Sequence, residues 1–175
     1  MSNYLADQYY LEAEKLIGCD EYVEAKKKLE EIIDLEPGYG RAHYKLGWVY
    51  WSWYDDYELA ERHLRLAIQF SPEFPSSYHT YAYLLNEINN ADALRRHAIR
   101  ALQVRGINKA IIHNELGKSF EQNGQIEKAI HQYQVALMLS VCSGLTERIN
   151  RNIERAENKL KSFSLKSLFR NEMIC

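Results

Sequence analysis

Residues that break or staple a chain are scarce among the 175 present: 3 prolines, 8 glycines and 3 cysteines. No Ser-, Gly- or Pro-rich run occurs before the last dozen residues, so no linker separates large domains and one folding unit is expected. The cysteines, Cys19, Cys142 and Cys175, are odd in number, irregularly spaced and without a C-x-x-C pair. They read as free thiols, which excludes a disulfide framework. No apolar run is long enough to span a bilayer, and Met1 to Asp7 has neither the basic nor the apolar stretch of a secretory signal. A cytoplasmic location is expected. Charge of one sign is also missing in bulk, with 22 basic against 24 acidic residues and a net of −2. Nucleic acid is therefore not an expected partner.

Catalytic patterns are absent as well. There is no G-x-G-x-x-G, no G-x-S-x-G and no phosphate-binding loop. The six histidines, His43, His63, His79, His97, His113 and His131, fall in six different predicted helices, and none has a second histidine or cysteine at metal-ligand spacing. Carboxylate runs such as Glu30-Glu31 and Asp55-Asp56 read as solvated faces and caps. No enzyme activity, no cofactor and no metal are expected.

What the chain has is a repeat. His43-x-x-Leu46-Gly47-x-x-Tyr50 is followed by Ala60-x-x-x-Leu64-x-x-Ala67 and Pro72, and His113-x-x-Leu116-Gly117-x-x-Phe120 by Ala129-x-x-x-Tyr133-x-x-Ala136. Weaker copies hold Tyr9, Ala13, Leu16, Ala25, Leu29, Ile32 and Pro37, and Tyr78, Tyr81, Ala82, Leu85, Leu94, Ala98 and Ala101. The small residues Ala13, Gly47, Ala82 and Gly117 recur at 34, 35 and 35 residues. Each copy carries two segments with apolar positions at 3–4 spacing, the mark of amphipathic helices. A glycine inside a helix costs up to roughly 1 kcal/mol against alanine, so Gly47 and Gly117 predict a close crossing by a paired helix. His43 and His113, at equivalent repeat positions, are expected to pack structurally.

Over residues 4 to 141 this pattern resembles the tetratricopeptide repeat family. The resemblance implies an all-α, right-handed α-solenoid of about four helix-turn-helix hairpins, at about 4–37, 39–72, 75–106 and 108–141, with the first helix of each lining a concave groove. The third copy departs most, with Leu94 in place of the usual small residue and Gly106 where a proline often stands. Asp20 is expected to N-cap the second helix, Asp55 or Asp56 the fourth, and Pro75 to open the fifth. From about 145 to 161, Leu145, Ile149, Ile153, Ala156 and Leu160 predict one further amphipathic helix, capping the solenoid over residues 1–161. Residues 162–175 read as a tail whose stripe, Leu165, Leu168, Phe169 and Met173, is expected to dock on the solenoid's open end.

The helix from about Arg41 to Trp53 has a second apolar stripe, Tyr44, Trp48 and Trp51, beside its core stripe. One stripe suffices to dock a helix, so the second is a candidate binding surface. The bland reading packs Trp51 and Trp53 under the turn from Tyr54 to Tyr57. The resemblance turns this face inward, and the expected partner-binding groove comprises Tyr10, Arg41, Tyr44, Lys45, Trp48, Trp51, Tyr83, Asn114 and Lys118. A protein or peptide ligand with apolar anchors is the expected partner. The family's clamp for acidic chaperone tails is missing, since Tyr10, Glu14, Lys45, His79 and Thr80 stand where it is sought.

The rival reading is a self-assembling scaffold subunit. Residues 1 to 36 carry ten acidic and four basic residues, a net of −6, against +3 over residues 145 to 175, so opposite ends of the solenoid attract. Between residues 37 and 144, 11 basic residues meet 10 acidic, which disfavours the basic groove of a helical-repeat RNA binder. Two basic residues in the last ten disfavour membrane attachment.

Overall fold

The computed structural model describes residues 2–172, with side chains described over 4–162. The described backbone forms nine helices: α1 (Ser2–Gly18), α2 (Tyr22–Leu35), α3 (Gly40–Ser52), α4 (Tyr57–Phe70), α5 (Pro75–Glu87), α6 (Ala91–Ala101), α7 (Lys109–Gln122), α8 (Ile126–Leu139) and α9 (Ser143–Glu172). The chain divides into two compact units, 1–84 and 85–175, with the division inside α5. In the first, α1 packs on α2, α2 on α3 and α3 on α4; in the second, α6 packs on α7, α7 on α8, and α9 on both α7 and α8.

One burial pattern recurs in the second helix of each hairpin. Ala25, Leu29 and Ile32 in α2, Ala60, Leu64 and Ala67 in α4, Leu94, Ala98 and Ala101 in α6, and Ala129, Tyr133 and Ala136 in α8 are all buried at steps of 4 and 3. That spacing keeps three side chains on one helical face. The first helices supply the small residues. A Cβ on Gly47 would stand 2.7 Å from Leu64 Cγ, and one on Gly117 2.5 Å from the Tyr133 ring. Leu94, in the departing third copy, is fully buried.

The turns inside the hairpins repeat too. Asp20, Asp55, Asn89 and Gly124, spaced 35, 34 and 35 residues apart, each adopt a left-handed φ of 62°, 51°, 54° and 72°. Aspartate, asparagine and glycine tolerate that conformation best. The N–H of the next residue reaches back five residues in three turns, Glu21 to Leu16, Asn90 to Leu85 and Gln125 to Phe120, whereas Asp56 reaches six, to Tyr50. The second turn is one residue longer. Asp20 is therefore a turn residue and not the N-cap expected of it; Glu21 precedes α2 without a side-chain cap bond, and Asp20 accepts from Tyr22 Oη at 2.6 Å. Asp56 caps α4 by accepting from the Leu59 N–H at 2.9 Å. Asn90 and Asn108 cap α6 and α7 in the same way.

The cores lie between stacked helices. In the first unit Ala6, Tyr10, Ala13, Leu29, Ile32, Ala42 and Leu46 form one cluster; in the second, Ala110, Ile126, Ala129, Tyr133, Ala136, Leu145, Ile149 and Ala156 form another. An ion pair locks α9 onto the latter. Glu121, 6% exposed, accepts from Arg155 Nε at 2.8 Å, Arg155 Nη2 at 2.7 Å, Lys159 Nζ at 2.7 Å and Tyr133 Oη at 2.8 Å. Burial alone would raise this carboxyl, but the hydrogen bonds from Arg155, Lys159 and Tyr133 outweigh it and hold the pKa at about 2. The capping helix expected to end near 161 runs on to Glu172, because nothing between Ser162 and Glu172 is a glycine or proline that would stop it. The tail side chains, and the docking expected of them, lie outside the described residues.

The close crossing and the ion pair each set a measurable outcome. Gly117→Ala pushes a methyl into the Tyr133 ring and lowers stability by about 1–3 kcal/mol, whereas Gly18→Ala, with nothing within 4 Å, leaves stability unchanged or raises it. Denaturant midpoints of the two variants test this. For Glu121 the folded pKa lies below the ordinary 4.5, so its contribution is present above that value and fades as pH falls toward 2. The stability gap between wild type and Glu121→Gln narrows over that range; a gap independent of pH would refute the assignment.

Candidate functional site

The candidate face is built on α3, whose core stripe of His43, Leu46 and Gly47 is buried while Tyr44, Lys45, Trp48 and Trp51 are half-buried and Arg41 is exposed. Tyr44 meets the Phe74 ring edge-on at 5.2 Å, and the Arg41 guanidinium lies 5.8 Å from the same ring. Trp51 stacks with Tyr83 at 6.4 Å. Trp48 faces Tyr22 at 6.0 Å, and Tyr22 is 4.5 Å from Trp53. Lys45 pairs with Glu14 at 3.0 Å, tying α3 to α1.

Seven of the nine expected groove residues thus belong to the first unit, and Asn114 and Lys118 to the second. Two expectations fail on burial. Tyr10 is only 8% exposed and sits in the core with Ala6 and Ala13, because those three share the α1 face turned to α2 and α3. Burial, with Glu14 nearby, raises its hydroxyl pKa, so it is a neutral packing group and not a wall open to a ligand. Asn114 is fully buried: its amide donates to Glu115 at 3.0 Å and its carbonyl accepts from Asn152 of α9 at 2.9 Å. Its polar capacity is engaged in docking the capping helix. Lys118 is also tied, to the buried Glu115 at 2.8 Å.

Three members of the face had little signal in the sequence. Tyr22 begins α2 directly after the left-handed turn, Phe74 lies in the turn before α5, and Trp53 is the C-cap that follows α3. Trp53 does not pack under the turn that follows it; it is 55% exposed and rests on Tyr22. The extra residue in that turn could have flagged the departure.

Tertiary structure also joins two histidines that are 20 residues apart. His43 Nδ1 and His63 Nδ1 are 3.0 Å apart, and His43 Nε2 is 3.0 Å from the Pro37 carbonyl. A carbonyl only accepts, so His43 carries its proton on Nε2 and its bare Nδ1 accepts from His63 Nδ1–H. Phe70 stacks on His43 at 5.6 Å and Tyr50 on His63 at 5.4 Å. Burial lowers His63 to about 4, with the nearby His43 and Arg62 adding to the shift and Glu30 opposing it, and burial lowers His43 too. This pair is an α3–α4 clasp, the structural role expected of His43. Among the described residues no group of three or more His, Cys, Asp or Glu is placed to hold a metal ion.

Hairpins with small-residue crossings, repeated left-handed turns and a capping helix define an all-α helical-hairpin solenoid of the tetratricopeptide type. Solved structures share this fold. PilF of Pseudomonas aeruginosa matches at a TM-score of 0.78 and 16% identity over 93% of this chain and 72% of that one. PilW, described as a widely conserved type IV pilus biogenesis factor, matches at 0.67 and 14% over 88% and 78%. TTC0263, a tetratricopeptide repeat protein of Thermus thermophilus, matches at 0.67 and 16% over 85% and 81%. No protein-family model matches the sequence, and no curated protein matches it. Identities this low establish the fold alone.

The histidine clasp makes stability depend on pH. Both folded pKa values lie below the ordinary 6.5, so the unfolded chain binds more protons and stability drops as pH falls from 6.5 toward 4. Melting temperature followed over that range should decline in wild type and flatten in His63→Gln; parallel curves would remove the clasp from the account.

Proposed function

We propose that this chain is a non-catalytic, cytoplasmic protein-interaction module that holds an apolar-anchored segment of a protein partner on the α3 face. The observation that carries the reading is the second aromatic stripe. Tyr44, Trp48 and Trp51 stand at steps of 4 and 3 residues outside the buried stripe of α3, and each is half-buried with an aromatic neighbour at its flank. Tyrosine and tryptophan in such settings lose little rotamer freedom, bury large area and keep a polar handle, which is why they dominate binding hot spots. Arg41 at the edge supplies the exposed charge, whereas Lys45 is already paired. That balance favours a ligand with apolar anchors and few acids over a strongly acidic tail. The paired His43 and His63 and the acids Glu115 and Glu121 support a non-catalytic role, since each is spent on contacts that hold the fold.

Peptides selected from a displayed library on the folded chain provide the probe. Their binding should weaken by about 2 kcal/mol or more, roughly thirtyfold, in the Tyr44→Ala, Trp48→Ala double variant, with helical circular dichroism retained. Undiminished binding by a folded double variant would place the partner surface elsewhere, and unfolding of both single variants would make the stripe core.

A further inference from the structure

The aromatic surface of α3 continues past the end of the helix. Trp48 meets Tyr22 at 6.0 Å and Tyr22 meets Trp53 at 4.5 Å, so Tyr22 stands between two indoles at a corner shared by the starts of α2 and of the turn after α3. Trp48 and Tyr22 are half-buried, whereas Trp53 leaves more than half of its surface to solvent. Among the described residues a cation stands over Tyr9, Tyr44, Tyr50, Tyr54, Phe74 and Phe120, but none stands over Trp53 or Tyr22. The corner is also acidic. Asp20 accepts from Tyr22 Oη at 2.6 Å, and Asp20, Glu21 and Asp55, which flank the two rings in sequence, are all exposed. Residues 1 to 84 carry 15 acidic and 8 basic residues, a net of −7. Trp53 is the C-cap of α3, a helix with no basic residue in its last turn, and the dipole at a helix C-terminus favours positive charge.

These features select among side chains that could rest there. An apolar side chain laid on Trp53 and Tyr22 would strip water from the neighbouring carboxylates and offer no donor in return. A guanidinium avoids that cost: its flat face stacks on an indole while its N–H fork pairs with a carboxylate. The ammonium of lysine, a strongly hydrated point charge, matches the ring less well. We propose that the corner of Trp53, Tyr22 and Asp20 receives an arginine side chain of the partner segment held on the α3 face. The inference rests on the reading of that face as a partner surface and adds a charged anchor to its apolar ones. From Arg41 to Trp53 the surface runs about 18 Å along α3. Its two ends therefore differ in sign, which sets the direction of the segment, with its arginine at Trp53 and any acid beside Arg41.

Peptides selected from a displayed library on the folded chain are the probe. They should carry an arginine at a fixed spacing from their apolar anchors, and its replacement by citrulline, which keeps the planar shape and loses the charge, should weaken binding by about fivefold or more. Trp53→Ala and Asp20→Asn should each weaken the arginine peptide by a similar factor and the citrulline peptide far less, with the arginine preference shrinking in high salt. Asparagine tolerates the left-handed φ of 62° at position 20, so the turn survives that change. Should Trp53→Ala lose helical dichroism, Trp53→Leu takes its place, keeping apolar bulk without the ring. Selected peptides that lack arginine, or an arginine peptide bound at full strength by both corner variants, overturn the inference while a loss of binding in Tyr44→Ala keeps the α3 face standing. Equal weakening of the arginine and citrulline peptides by Trp53→Ala overturns it as well, because Trp53 is then an apolar wall. Binding indifferent to Tyr44→Ala removes the face reading and this inference with it.

Discussion

A Cβ at position 117 would stand 2.5 Å from the Tyr133 ring and one at position 47 would stand 2.7 Å from Leu64 Cγ, both inside van der Waals contact. The helices of these hairpins approach so closely that only hydrogen fits between them there, and the rest of each hairpin is arranged around that crossing. With the first helix carrying the small residue, the second can present a large one, and the flanking alanines, Ala60 and Ala67 or Ala129 and Ala136, let the backbones stay near along the contact. Tyr133 illustrates the consequence. Its ring fills the crossing while its hydroxyl reaches Glu121, so the same side chain that joins α7 to α8 also anchors the acid that recruits Arg155 and Lys159 of α9.

Close approach demands a compact reversal of the chain, and the left-handed residue in each hairpin turn provides it. Asp20, Asp55, Asn89 and Gly124 keep the repeat's spacing as closely as the small residues at the crossings do. The second turn alone reaches back six residues, and beside it lies the aromatic cluster of the exposed Trp53 with the half-buried Tyr22 and Trp48. The first unit holds its surplus aromatic residues at a surface, whereas the second unit uses polar side chains at corresponding places in α7. Asn114, Glu115 and Lys118 are consumed by one another, by Asn86 and by α9. That contrast directs the functional proposal to α3 and away from α7.

Sequence by itself determined the helical class, the four-copy repeat, the small-residue crossings and the second stripe on α3, because each is a matter of spacing along one helix and helical periodicity is local. Ala13, Gly47, Ala82 and Gly117 could be aligned without coordinates. Only the tertiary structure decided what meets each stripe. Tyr10 and Tyr44 look alike in their repeats, yet Tyr10 is covered by Tyr39 and the α1–α3 core while Tyr44 stays partly exposed. Asn114 looked like a groove amide until Asn152, 38 residues away, took its carbonyl. His43 and His63 gave no metal-like spacing and still became hydrogen-bonded partners. In each case the deciding neighbour comes from another helix, and its distance in sequence carries no periodic signal; burial and pairing are properties of how helices stack, and a single helix cannot encode them alone.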